Sequence, residues 1–165
     1  METTIKNVLN VTATITSSGQ PTIKQFVQIA EQGYQAIINL AMPDSSTAIE
    51  EEGAIVACLG MTYIHIPVPF DAPDQKYLQQ FFNIMKVFSA HKVWVHCALN
   101  YRASAFLYLY LRIVEQQSAK QASSALLPSW EPNEIWSEFL KKAEKLLPKI
   151  QNKKISVKKT IEEKS

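Results

Sequence analysis

Residues 93–106 have the sequence VWVHCALNYRASAF, which changes from strand-forming to helix-forming residues within one short turn. Val93 to Val95 predict a short buried strand, and the apolar spacing from Ala103 to Gln117 predicts a helix. Cys97 then falls in the turn between them. Such a turn directs the unpaired amides of a helix N-terminus at one point, so this stretch indicates an anion-binding site.

Strands and helices alternate along the chain before this stretch. Such alternation is typical of an α/β fold of three layers, with a largely parallel central sheet of four to five strands and helices on both faces. The predicted strands are Val8–Ile15, Ala36–Leu40, Tyr63–Val68 and Val93–Val95, and the predicted helices begin at Thr22 (a capping box with Gln25), at Thr47 (ending at Gly60) and at Asp74. The chain after Cys97 is predicted to be helical, with helices at Ala103–Gln117, Ser118–Leu127 and Asn133–Leu147.

The length of 165 residues, with 47% apolar and 19% charged residues, is typical of one globular domain. We expect that domain to span residues 1–150. Residues 151–165 form a basic tail, predicted to be flexible. The net charge of +2 arises from lysines near the C-terminus, a pattern that does not indicate nucleic-acid binding. The oligomeric state is left open.

The N-terminal residues METTIKNVLN lack the apolar core of an export signal, and no stretch of 18 uninterrupted apolar residues follows. We therefore expect a cytoplasmic protein without a membrane association. The two cysteines, Cys58 and Cys97, should then remain reduced. Cys58 lies in an apolar run and is interpreted as a core residue. No histidine has metal-ligand spacing to either cysteine, so no metal site is predicted.

Cys97 and Arg102 together indicate a reactive thiolate in an anion site. The carboxyl end of a parallel strand is where ligands bind in such sheets, and Cys97 occupies that position. We expect the helix N-terminus and the Arg102 guanidinium to favour the thiolate form of Cys97. The same guanidinium can bind two oxygens of a tetrahedral oxyanion.

The motif VHCALNYRAS resembles the phosphate-binding loop of the cysteine-dependent protein tyrosine and dual-specificity phosphatases, whose signature is His-Cys, five residues, Arg, then Ser or Thr. The segments AIINL, YIHIPVPFDAPD and FFNIMKVF have the order seen in small dual-specificity phosphatases. The segment SSGQPTIKQFVQIAEQGYQAIINL is similar to a bacterial phosphatase family of the DUF442 type, named for its link to β-lactamase-like hydrolases. The resemblance covers residues 8 to about 117 and implies the α/β fold already predicted.

The loop departs from this signature in its length. Four residues, Ala98, Leu99, Asn100 and Tyr101, separate Cys97 from Arg102 where the phosphatases have five, although Ser104 keeps its usual distance. Either the loop is one residue shorter, or Ala103 takes the usual arginine position. The family's glycine is also missing, which leaves Asn100 as the residue best able to adopt a left-handed conformation.

The resemblance implies a role for each residue of the motif. Cys97 would be the nucleophile, Arg102 would bind the phosphate with the loop residues 98–101, and His96 would order the loop. The Ser104 hydroxyl would assist thiolate departure, or would simply be a helix N-terminal hydroxyl. Asp71 would be the general acid, with a solvated loop aspartate as the alternative, and Asp74 is expected to be a helix cap.

The predicted function is hydrolysis of phosphomonoesters through a phosphocysteine intermediate, without a metal or organic cofactor. The class of the phosphorylated substrate is left open. A loop of six residues from Cys97 to Arg102 is closer to that of rhodanese-like sulfurtransferases, so sulfur transfer is one alternative. A phosphatase-like module that binds an anionic ligand or a phosphoprotein without turnover is another.

Overall fold

The structure is a computed structural model that describes residues 4–146. The predicted basic tail at 151–165 lies outside the described residues. Within 4–146, five strands form one sheet in the order β1-β2-β5-β3-β4. The strands are β1 (Leu9–Asn10), β2 (Ile15–Ser18), β3 (Ala36–Asn39), β4 (Thr62–His65) and β5 (Val93–His96). All neighbouring pairs are parallel except β1 with β2, so the predicted largely parallel sheet is confirmed.

Helices cover both faces of this sheet. They are α1 (Ile23–Glu31), α2 (Glu52–Cys58), α3 (Gln75–Val87), α4 (Tyr101–Ile113), α5 (Ala119–Ala122), which continues into a 3-10 turn at Ser123–Ala125, and α6 (Glu134–Glu144). Successive residues of a strand point to opposite faces, and the core follows this rule. Ile37 and Trp94 pack with α1 and α2, whereas Ile38 and Val95 pack with α3, α4 and α6. The predicted three layers are confirmed.

Two helix starts follow from local sequence as predicted. Thr22 accepts a hydrogen bond from the Gln25 amide, and the Gln25 side chain accepts one from the Thr22 amide, which completes a capping box for α1. The Asp74 carboxylate accepts a hydrogen bond from the Lys76 amide at 2.7 Å and caps α3. Asp74 is therefore a helix cap, as expected from the sequence.

The strand predicted at Val8–Ile15 is wrong. Those residues include β1, the turn after it and Ile15, the first residue of β2. In the turn, Thr12 Oγ1 accepts hydrogen bonds from the amides of Thr14 and Ile15. This local bonding by a threonine hydroxyl competes with strand pairing and reverses the chain. The alternating apolar residues therefore belong to two antiparallel segments.

The second helix is shorter than predicted from Thr47. It begins only at Glu52, because the preceding residue, Glu51, has a left-handed backbone with φ 57°. Cys58 lies at the end of this helix and is exposed, so its interpretation as a core residue is wrong. The buried face of α2 carries Glu52 and Val56, and Cys58 does not share that face. None of the helices within residues 4–146 is both long and apolar enough to span a bilayer.

Candidate active site

The candidate site lies where β5 ends and α4 begins. β5 is an inner strand between β2 and β3, so the four residues from Cys97 to Asn100 leave the sheet at the carboxyl end of a central strand. In open α/β sheets the ligand crevice is found at this edge. The structure thus places Cys97 in the strand-to-helix turn that the sequence predicts.

Asn100 gives the loop its sharp turn into α4. Its backbone is left-handed with φ 70°, which confirms the conformation expected from the absence of glycine. The Asn100 Nδ2 atom donates hydrogen bonds to Asn7 O at 2.7 Å and to Ser17 Oγ at 3.1 Å. This side chain bonds to the segment before β1 and to β2, and it makes no capping hydrogen bond to the first turn of α4. The N-terminus of α4 therefore retains its partial positive charge.

Neighbouring segments hold the carbonyl groups of the loop. Ala98 O accepts a hydrogen bond from the Gln20 amide at 3.1 Å, and Leu99 O accepts one from Asn7 Nδ2 at 3.0 Å. Gly19 permits this close approach, since a Cβ there would lie 2.8 Å from Ala98 O. These bonds satisfy two carbonyl acceptors and fix the loop beside the helix N-terminus.

A cavity of about 180 Å³ opens in front of Cys97. Cys97 itself is only 1% exposed, so its thiol is reached through this cavity. The volume corresponds to several water molecules at about 30 Å³ each, which is sufficient for one tetrahedral oxyanion. The residues that line it are Phe70, Cys97, Ala98, Leu99, Tyr101 and Arg102.

Arg102 lines the same cavity as a buried cation without a counter-ion. It is 7% exposed, and its Nη1 donates to Val68 O at 2.8 Å. Its Nε is buried and has no hydrogen-bond partner. None of the ion pairs within residues 4–146 includes Arg102. A buried charge is costly unless it is paired, so this arrangement favours an anion in the cavity.

Aromatic rings stabilise the wall of the cavity. The Tyr101 ring stacks on Trp130, with centroids 5.2 Å apart, and Phe70 packs on Trp136 at 5.7 Å. The indole of Trp136 also donates to Phe70 O at 2.8 Å. The Arg102 guanidinium lies 5.9 Å from the Phe70 ring. This packing holds the segment after β4 next to the loop.

His96 is held from behind by a buried carboxylate. His96 Nε2 and Glu52 Oε1 are 2.8 Å apart, and His96 Nδ1 is 3.4 Å from Cys97 O. Glu52 also accepts hydrogen bonds from Gln20 at 2.6 Å and from Asn39 at 3.3 Å. Desolvation by burial acts to raise the pKa of Glu52, but the hydrogen bond and charge of His96 and the other hydrogen bonds outweigh it. The pKa of Glu52 is therefore lowered.

Glu52 is a residue of this site that the sequence analysis missed. It is 44 positions before His96, in a segment predicted only to be an amphipathic helix. A glutamate in the first turn of a helix is common because it interacts favourably with the helix dipole, so no local signal distinguishes it. Only the pairing of β3 with β5 brings α2 beneath His96.

Replacing Glu52 by glutamine should lower the free energy of unfolding at pH 7 by about 1 to 3 kcal/mol, because charge-assisted hydrogen bonds weaken. A carboxyl whose pKa is lowered by folding stabilises the protein above its unfolded pKa, and this stabilisation is lost as the pH falls through the folded pKa. The difference in the free energy of unfolding between wild type and variant should therefore shrink as the pH falls below 4.5, the ordinary pKa of a glutamate. Urea unfolding at several pH values measures it, and a constant difference would contradict the assignment.

Glu50→Gln is the matched control for this measurement, since Glu50 is exposed and only two residues away. It removes the same charge from the same segment without touching His96. We expect its free energy of unfolding to stay within about 0.5 kcal/mol of wild type at every pH.

Asp71 and Ser104 lie near the site but do not line the cavity. Asp71 is exposed in the turn that follows Phe70, a residue of the cavity wall. Ser104 is fully buried, and its Oγ donates to Tyr101 O at 3.1 Å within α4. The catalytic roles expected of both residues stay predictions. The structure brings together Cys97, Arg102 and the loop, with His96 behind them.

Comparisons with protein families and with solved structures both find phosphatases. The family described as DSP-PTPase phosphatase fused to NAD+ kinase matches residues 4–145. A DUF442 protein from Shewanella putrefaciens CN-32, assigned as a phosphatase, is 30% identical, with a TM-score of 0.79 over 87% of this chain and 94% of that chain. No curated protein sequence matches significantly.

More distant solved structures share the fold. Tk-PTP in its active form is 18% identical, with a TM-score of 0.71 over 84% of this chain and 97% of that chain. TpbA from P. aeruginosa, in complex with pTyr, is 13% identical, with a TM-score of 0.68 over 88% of this chain and 91% of that chain. At these identities the likeness concerns the fold alone.

Proposed function

The chain belongs to the phosphatase family described as DSP-PTPase phosphatase fused to NAD+ kinase, and from this membership we propose that it hydrolyses phosphomonoesters through Cys97. One observation carries the proposal: Arg102 is a buried guanidinium without a carboxylate partner, and it lines the same cavity as the Cys97 thiol. A phosphoryl group supplies the missing negative charge and places its phosphorus in front of the nucleophile.

The proposed reaction has two displacements. The Cys97 thiolate attacks phosphorus and forms the sulfur–phosphorus bond, while the bond to the leaving oxygen breaks and Asp71 donates a proton to that oxygen. Water then attacks the phosphocysteine, gives its proton to Asp71 and releases inorganic phosphate and the thiolate. Arg102 and the amides at the N-terminus of α4 stabilise the equatorial oxygens in both steps. This chemistry needs no metal ion.

The short loop is compatible with this arrangement. Arg102, in the first turn of α4, lines the cavity with Cys97, whereas Ala103 is fully buried in the core. This supports a loop that is one residue shorter. It does not support a loop of the usual length in which Ala103 takes the arginine position. The left-handed Asn100 directly precedes α4 and turns the chain into it.

A reduced thiol is required for this mechanism, and the reducing cytoplasm supplies that condition. A cytoplasmic location is therefore part of the proposal, as is a phosphorylated substrate with no requirement for nucleic acid. The family match and the 30% identical phosphatase relative do not favour sulfur transfer or a binding module without turnover.

The direct test of function is turnover of 4-nitrophenyl phosphate in the presence of a chelator. We expect hydrolysis to persist with the chelator. In a parallel assay without the chelator, which would bind vanadate, we expect competitive inhibition by vanadate, since a trigonal bipyramidal oxyanion occupies the site of the phosphoryl group. Thiosulfate and cyanide should give no thiocyanate. Thiocyanate formation without phosphate release would establish the sulfurtransferase alternative, and tight vanadate binding without either reaction would establish the binding module.

Asp71→Asn tests the general acid. Protonation of the leaving oxygen matters most for a poor leaving group, so the variant should slow an alkyl phosphate by about 100-fold and 4-nitrophenyl phosphate only several-fold. Steady-state kinetics with both substrates measure the ratio. Asp74→Asn is the matched control, because asparagine also caps helices and the change removes a carboxylate three residues away. A leaving-group effect in the control alone would assign the acid to Asp74.

A further inference from the structure

A second and larger cavity borders the active-site loop. Its volume is about 670 Å³, and it shares Ala98 and Leu99 with the cavity in front of Cys97. The residues that line it are Lys6, Gln20, Pro21, Thr22, Ile23, Lys24, Thr47, Ile49, Ala98 and Leu99. The two cavities therefore border the same part of the loop.

Both charged residues of the second cavity are lysines. Lys6 and Lys24 are exposed, and neither is in an ion pair within residues 4–146. The cavity includes the first turn of α1, which has no acidic residue and in which Thr22 caps the Gln25 amide. Two unpaired cations beside a helix N-terminus create a positive potential.

Hydrogen bonds hold the Lys6 segment against the loop. The Gly19 amide donates to Lys6 O at 2.8 Å, and the next residue, Asn7, bonds to Leu99 O and accepts from Asn100. The segment with Lys6 and Asn7 is therefore hydrogen-bonded to the phosphate-binding loop and to Gly19. The backbone of Lys6 is thereby held next to the loop, and its exposed side chain borders the second cavity.

Apolar side chains form the rest of the wall. Ile23, the first residue of α1, is an apolar residue that is 52% exposed. Pro21, Ile49 and Leu99 line the cavity beside it. A cavity of this size, with apolar walls and few polar groups, has the dimensions of a small-molecule site. An apolar spacer would cover these residues, and a terminal anion would reach the lysines.

We propose that the second cavity binds the leaving group of a small-molecule phosphomonoester that carries a second anionic group, which Lys6 and Lys24 contact. This inference rests on the proposed phosphatase function and names its substrate class. The phosphoryl group faces Cys97 and Arg102, and the second anion neutralises the two lysines.

The test uses linear alkanediol bisphosphates with two to six carbons and the alkyl monophosphates of the same lengths. Calorimetry with the Cys97→Ser variant measures binding without turnover. We expect the bisphosphate of one spacer length to bind about tenfold more tightly than the monophosphate of the same length. The effect is modest because exposed lysines and a helix N-terminus each add little to the binding affinity. The advantage should fall with added salt.

In the same background, Lys6→Ala combined with Lys24→Ala should remove the bisphosphate advantage and leave monophosphate binding unchanged. Lys86→Ala is the matched control. Lys86 is an exposed lysine in the last turn of α3 and does not line the second cavity. In this control, the ratio of bisphosphate to monophosphate affinity should equal that of the Cys97→Ser variant with both lysines present.

Equal binding of bisphosphates and monophosphates at every length would overturn the inference, as would an equal loss of both in the double lysine variant. Tighter binding of an acidic phosphotyrosine peptide than of any bisphosphate would overturn the small-molecule assignment. If the wild-type protein hydrolyses neither class of phosphomonoester, the proposed function itself has failed. Normal monophosphate turnover without a bisphosphate advantage locates the failure in the second cavity.

Discussion

Replacing Cys97 by serine should lower kcat/KM for 4-nitrophenyl phosphate by about 1,000-fold or more. The serine hydroxyl is not ionised near neutral pH and is a far weaker nucleophile than a thiolate, so no phosphoenzyme accumulates. The side chains have similar sizes, and the loop carbonyls accept hydrogen bonds from the Gln20 amide and the Asn7 side chain, which the change does not touch. Steady-state kinetics and a quenched-flow search for the phosphoenzyme measure the effect.

The second cysteine provides the control for this experiment. Cys58 is exposed at the end of α2 and does not line the cavity of Cys97, so Cys58→Ser should retain wild-type kinetics. Both variants should keep the wild-type melting temperature within a few degrees. If the Cys97 variant turns over substrate at the wild-type rate, the covalent mechanism is wrong.

Replacing Arg102 by lysine should lower kcat/KM by about 100- to 1,000-fold, the size of effect seen when a preorganised donor to a developing charge is removed. Lysine keeps the positive charge but cannot donate to Val68 O and to two phosphoryl oxygens with one planar group. Charge alone is therefore insufficient at this position. Kinetics with an aryl phosphate measure the loss, and circular dichroism checks the fold.

Arg112→Lys is the matched control, since Arg112 lies on the same helix and pairs with Glu144 at 3.0 Å, away from the cavity. Its kinetics should match those of wild type.

A second readout does not depend on turnover: in a Cys58→Ser background, vanadate should protect Cys97 from iodoacetamide. Arg102→Lys should lose this protection. Full protection in the variant would show that Arg102 does not bind the oxyanion.

The fold class follows from local patterns that each segment carries by itself. The apolar run before Cys97 predicts β5, and the capping residues Thr22 and Asp74 predict the starts of α1 and α3, all as observed. Backbone hydrogen bonding and side-chain periodicity act over a few residues, so the sequence shows them directly. Alternation of these elements then predicts a parallel sheet covered on both faces.

The same local patterns fail where two conformations compete. The period of two from Val8 to Ile15 predicts one strand, but the Thr12 hydroxyl stabilises a turn. The apolar run around Cys58 predicts burial, but α2 begins late and turns a different face to the core. In both places one residue, Thr12 or Glu51, changes the local backbone, and composition and periodicity do not show this.

The sequence by itself determines the site's central unit, because Cys97, Asn100 and Arg102 lie within six consecutive residues and share one strand-to-helix turn. The tertiary structure decides what surrounds that unit. Strand order places Glu52 under His96 and brings Lys6 and Lys24 to the cavity beside Leu99. These groups are separated from the loop by 44 residues or more, and their approach depends on the burial of the whole sheet, which no local spacing specifies.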